Sequence, residues 1–95
     1  MTKAISPVTR RFEGVLKENA ERITFNIGKS EQGVLNSVKV NTGKMGQEKP
    51  VYNYAFKKGL DVEYFKEVMT DFCQQVKDGS RLLKEIFEYG LNLKK

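Results

Sequence analysis

The stretch Val51–Met69, VYNYAFKKGLDVEYFKEVM, changes its period halfway through. In its first part Tyr52, Tyr54 and Phe56 alternate with Val51, Asn53 and Ala55. That two-residue repeat sets every second side chain on one face of a strand. Beyond Lys57, Lys58 and Gly59 the repeat lengthens. Phe65, Val68, Met69, Phe72 and Val76 then fall at the spacing of a single helical face. Asp61 suits the N-cap, and Glu63 the first turn, where negative charge meets the positive end of the helix dipole. A strand therefore gives way to a helix, and what lies on either side decides the fold class.

Upstream the pattern is all strand. In residues 10–17, RRFEGVLK, Phe12, Gly14 and Leu16 share one face, and Arg11, Glu13, Val15 and Lys17 the other. Residues 22–29, RITFNIGK, alternate most cleanly, with Ile23, Phe25 and Ile27 opposite Thr24, Asn26 and Gly28. In residues 34–41, VLNSVKVN, Val34, Val38 and Val40 oppose Leu35, Ser37, Lys39 and Asn41. Polar turns (ENAE, SEQG) and the loop TGKMGQEKP separate these runs from one another and from a fourth strand over 51–57. Downstream, helices are predicted over 61–78, with Gly79 as a stop, and over 80–90, capped by Ser80 and ended by Gly90. Leu82, Leu83, Ile86 and Phe87 form the apolar stripe of the second. Pro7 makes residues 1–9 a loose arm. The expectation is one α+β domain over 10–95: a four-stranded antiparallel β-meander followed by two C-terminal α-helices. Such a sheet covers one face with helices and leaves the other to water.

The charge is uneven. Residues 1–60 hold eleven Lys and Arg against five Glu, whereas residues 61–95 hold six against seven acidic residues, so the strand half carries the whole excess of the +5 net charge. A basic half beside a neutral one points toward a polyanionic partner. The chain has no histidine and one cysteine, Cys73. This removes histidine general bases, Ser-His pairs and histidine-ligated zinc, and the acidic residues show no ligand spacing. We therefore expect a non-catalytic protein with no cofactor and no metal. One cysteine permits no intrachain disulfide, which fits a reducing, cytoplasmic setting. No apolar run suits a signal peptide or a membrane span.

Two features carry the functional reading. The first is the row Tyr52, Tyr54 and Phe56, which is either an exposed platform for stacking bases or the packed face of the sheet. The second is the set of cations at strand ends and in loops: Arg10, Arg11, Lys17, Arg22, Lys29, Lys39, Lys44, Lys49, Lys57 and Lys58. Such groups reach phosphates and make binding salt-dependent. The loop GKMGQEKP lacks the glycine spacing and the Gly-Lys-Ser/Thr ending of a phosphate-binding loop, and a strand follows it instead of a helix. It reads as a hairpin tip in which Lys44 and Lys49 offer contacts. Phe87, Tyr89 and Leu91 exceed what one small sheet must cover and point to a second copy. Cys73 is expected to be half-buried and inert.

Lysine-rich strands, a basic hairpin tip and EKPVYNYAFKKGLDVEYFKEVM running into an amphipathic helix resemble the single-stranded-DNA-binding domain of the positive cofactor four (transcriptional coactivator p15) type. The resemblance covers roughly residues 10–77 and rests on element order. That family has a glycine-isoleucine-serine-leucine run where this chain has LDVEYF, and it lacks the second helix. The resemblance implies a curved sheet, a homodimer and melted DNA bound along the strands, with Lys39, Lys44, Tyr52, Tyr54, Lys57 and Lys58 in contact. The expected function is thus single-stranded nucleic-acid binding by a basic sheet face with aromatic stacking. Single-stranded DNA is the first candidate partner, RNA and duplex DNA the next. The nucleic-acid-binding set comprises Arg10, Arg11, Arg22, Lys29, Lys39, Lys44, Lys49, Tyr52, Tyr54, Lys57 and Lys58. The alternative is a protein-interaction module, a small regulator or inhibitor, docking through its sheet edge or C-terminal helix.

Overall fold

The computed structural model describes residues 8–56 and 61–91. Four strands form one antiparallel sheet in sequence order: β1 (Val8–Val15), β2 (Arg22–Lys29), β3 (Leu35–Gly43) and β4 (Lys49–Ala55). Two helices follow, α1 (Val62–Cys73) and α2 (Gly79–Gly90). The α+β meander read from the sequence is therefore the fold, with moved boundaries. β1 begins at Val8, inside the expected arm; residues 1–7 lie outside the described residues.

The cross-strand register fixes the two faces. Phe12, Phe25, Val40 and Tyr52 lie in one row, and Arg10, Ile27, Val38 and Tyr54 in the next. These rows face the helices. The Phe25 ring lies 6.5 Å from that of Phe72 on α1, and Phe12 lies 6.0 Å from Tyr89 on α2. The core gathers Phe12, Ile23, Phe25, Ile27, Val38 and Val40 from the sheet, Phe65, Met69 and Cys73 from α1, and Leu82 and Ile86 from α2. All of these are buried, so the apolar alternation in β2 and the helical stripes do what their spacing predicts.

One facing assignment is reversed. Leu35 is buried and Val34 is 50% exposed, the opposite of a simple alternation through 34–41. The register slips between Gly28 and Lys29: Gly28 faces Ser37, but Lys29 faces Leu35, leaving Asn36 as an extra residue on β3. A bulge adds one residue and so flips the parity of everything before it. A second slip, between Val40 and Asn41, leaves Val51 as the extra residue of β4, and Val51 is 51% exposed.

The helix ends also differ from expectation. Asp61 caps α1 as predicted, its Oδ1 accepting a hydrogen bond from the Tyr64 N–H at 3.1 Å. α1 stops at Cys73 rather than at residue 78, and Val76 enters the core from the linker. That linker pairs with the sheet. Lys17 N–H donates to the Gln75 carbonyl at 2.9 Å, and Lys77 N–H to the Val15 carbonyl at 2.9 Å. Gly79 is the first residue of α2, not a stop for α1, and Asp78 rather than Ser80 holds the N-cap position. Cys73, expected to be half-buried, is 2% exposed, and burial pushes its thiol up to about 11. A neutral, enclosed thiol is a poor nucleophile at physiological pH.

Candidate nucleic-acid interface

The face turned away from the helices is polar. Its central row is Arg11, Asn26, Lys39 and Asn53, one residue from each strand. A second row holds Glu13, Thr24, Asn41 and Pro50, and a third Thr9, Gly28, Ser37 and Ala55. Arg11, Lys39 and Asn53 are exposed and Asn26 is partly so, because long polar side chains on an uncovered sheet stand out from the pleat. Arg22 pairs with Val15, which puts it at the end of the same face. Its Nη1 lies 2.6 Å from Glu13 Oε1, and Arg11 Nε lies 3.1 Å from Glu13 Oε2. Among the strand residues of this face Glu13 is the single acid.

The structure divides the expected binding set. Arg11, Arg22 and Lys39 share the open face. Lys44 is exposed in the β3–β4 turn, at the same end of the sheet as Arg22, which pairs with Gly43. Lys49 is exposed at the start of β4 but pairs with Thr42, on the helix side of the register. Arg10 and Lys29 also belong to the helix side. The Arg10 guanidinium sits 4.8 Å from the Phe12 ring centre and 5.6 Å from that of Tyr89. Lys29 Nζ is 4.3 Å from the Tyr89 ring and donates to the Tyr89 carbonyl at 2.9 Å. Both cations thus complete the packing of the last turn of α2, where positive charge is favoured. Lys57 and Lys58 lie outside the described residues.

The aromatic row is on the covered side. Tyr52 packs against Phe72 at 5.6 Å and Tyr54 against Tyr64 at 5.1 Å, both partners on α1. The two rings lie 6.5 Å apart and nearly parallel, and Phe56 closes the row 4.8 Å from Tyr54. All three are half-buried, and Tyr52 and Phe56 lie against the margin of the core. Burial, and then a hydrogen bond with Tyr64, hold the Tyr52 phenol well above its ordinary value. The platform reading of this row therefore gives way to the packing reading, for a simple reason. The opposite face of β4 is Asn53 and Ala55, which has no core to offer, so the rings must turn toward α1. Phe87, Tyr89 and Leu91, read as surplus, pack in the same way against the chain's own core.

Sequence reasoning passed over Asn26, Asn53 and Glu13. Their signal was present in the polar half of each alternation. It becomes a candidate site only when the register lines up the four strands. Compared with family profiles, curated proteins and solved structures, the chain matches none of them. Among the described residues there is no cluster of metal-ligating side chains and no helix long and apolar enough to cross a membrane.

Proposed function

We propose that this chain is a non-catalytic nucleic-acid-binding protein that lays a single strand across its open sheet face. The observation that carries the reading is the transverse row Arg11, Asn26, Lys39 and Asn53 on a face that no described helix covers. The cations meet phosphates, and the carboxamides hydrogen-bond the base edges that an unpaired strand exposes. The excess positive charge of residues 1–60 supplies long-range attraction. The resemblance in element order to the p15-type domain supports the same reading. Stacking on Tyr52 and Tyr54 is not part of it.

A competition titration among a thymine oligonucleotide, RNA of the same length and a duplex tests this. We expect the single strands to win and affinity to fall steeply with salt; absence of binding at low salt ends the proposal. Lys39→Ala is expected to weaken single-strand binding roughly three- to tenfold for every base sequence and to flatten the logarithmic salt slope by about 0.7.

One observation favours a second reading, a protein-interaction module that accepts an added strand. β1 and β4 are both edges, but the linker Gln75–Lys77 guards the end of β1, whereas no described segment pairs with the outer side of β4. Phe56 N–H donates inward to the Asn36 carbonyl. Alternation then turns the backbone groups of Asn53 and Ala55 outward. A second copy adding its own β4 there gives a homodimer with one continuous open face. Ala55→Pro removes an outward N–H without touching the β3 ladder. If the edge joins two copies, light scattering shows a dimer for the parent and a monomer for this variant; equal masses discard the edge as the dimer contact.

A further inference from the structure

We infer that Arg11 and Arg22 form a subsite for one backbone phosphate, and that Glu13 holds its place in the free protein and sets affinity by competing for it. The inference rests on the nucleic-acid reading above and deepens it. One carboxylate here divides its two oxygens between two guanidiniums: Oε2 lies 3.1 Å from Arg11 Nε and Oε1 lies 2.6 Å from Arg22 Nη1. A phosphodiester has the same charge and likewise offers two unshared oxygens, so it can replace the carboxylate one for one. The exchange is sterically open, because the side chains of Arg11, Glu13 and Arg22 are 55%, 45% and 31% exposed. None of the three is needed to fill the core.

The arginines are aimed by the strand geometry. Arg11 and Glu13 are two residues apart on β1, and Arg22 lies diagonally across on β2, so all three project from one side of the pleat. The second arm of Arg22 leads to the hairpin end. Its Nη2 is 3.7 Å from Met45 Sδ, and a cleft of about 770 Å³ between the two hairpin ends is lined by Glu13, Arg22, Lys44 and Met45 among others. A chain crossing the central row at Lys39 and Arg11 has this cleft as its exit, with Lys44 for the next phosphate. Without Glu13 the arginines would repel each other. With it they are held on one carboxylate, at the cost of a rival anion.

Fluorescence anisotropy with a dye-labelled thymine oligonucleotide tests the assignment, using Glu13→Gln, Arg11→Ala/Arg22→Ala, the triple combination, and Glu18→Gln as a control. Glu18 is exposed in the β1–β2 turn, so its removal reports the general gain from losing one negative charge. E13Q is expected to bind roughly three- to tenfold tighter than the parent, more than E18Q, with a salt slope steeper by about 0.7. In the background lacking both arginines the E13Q gain should shrink to that of E18Q. Circular dichroism should show all variants folded. An E13Q affinity equal to or below that of E18Q overturns the subsite, as does a gain that persists without the arginines. If neither parent nor E13Q binds at low salt, the nucleic-acid reading falls together with the subsite. Parent binding with an indifferent E13Q sinks the subsite alone.

Discussion

Tyr52→Ala/Tyr54→Ala is expected to lose roughly 3–5 kcal/mol of stability while keeping its affinity for single strands at a temperature where it stays folded. Each ring sits between β4 and α1. Tyr52 touches Phe72 and Tyr54, and Tyr54 touches Tyr64 and Phe56, so truncating both removes the contacts along the β4–α1 seam. The figure follows from large-to-small truncation of half-buried aromatics, against a total stability of about 5–14 kcal/mol for a chain of this size. Denaturant melts check the first half and titration with a thymine oligonucleotide the second. A variant that melts like the parent but loses binding would return the rings to the role of a stacking platform.

Alkaline pH should weaken the same seam. The folded-state value of Tyr52 is raised by burial and by Tyr64, so the neutral phenol is the form that the fold favours. Stability linked to this group is complete below the unfolded phenol value of about 10 and fades as pH climbs beyond it. Tyr52→Phe keeps the ring and removes the titration, so its stability should fall less steeply with rising pH than that of the parent.

Gly79→Ala is the second large effect, a loss of roughly 3 kcal/mol or more from a single added methyl. A Cβ at Gly79 would lie 1.8 Å from the Cys73 carbonyl oxygen, which is backbone and has no rotamer to yield. The linker that turns α1 into α2 is therefore wound so tightly that only hydrogen fits. Gly90 makes a milder comparison. There the nearest atom is the Phe65 ring at 2.8 Å, a side chain that can shift. Thermal melts of the two alanine variants should rank Gly79 well below Gly90.

Sequence periodicity sufficed for the order and type of all six elements, because the core is built from unbroken repeats: Ile23, Phe25 and Ile27 in β2, Phe65 and Met69 in α1, Leu82 and Ile86 in α2. It failed at Leu35, where a bulge at Gly28 and Lys29 shifts the phase by one residue and leaves no mark in composition. Gly79 misled in a similar way: a glycine after an amphipathic run reads as a C-cap, but its cause here is close approach to Cys73. The open face was half legible. Arg11 and Lys39 were in the expected set, yet counting cations alone also drew in Arg10 and Lys29, which the Tyr89 ring engages. Which side of the sheet the Tyr52 row takes depends on where α1 lands, a long-range fact that no local repeat contains.

The two linker bonds at the end of β1, Lys77 to Val15 and Lys17 just beyond the strand to Gln75, have a mechanical meaning. They tie the linker between the helices to the β1 edge, while the Tyr52 and Tyr54 rings pack α1 along the β4 edge, so the helical layer is held at both edges of the sheet. A layer held in this way cannot hinge open like a lid. Its loosening and that of the sheet are then expected to be a single event.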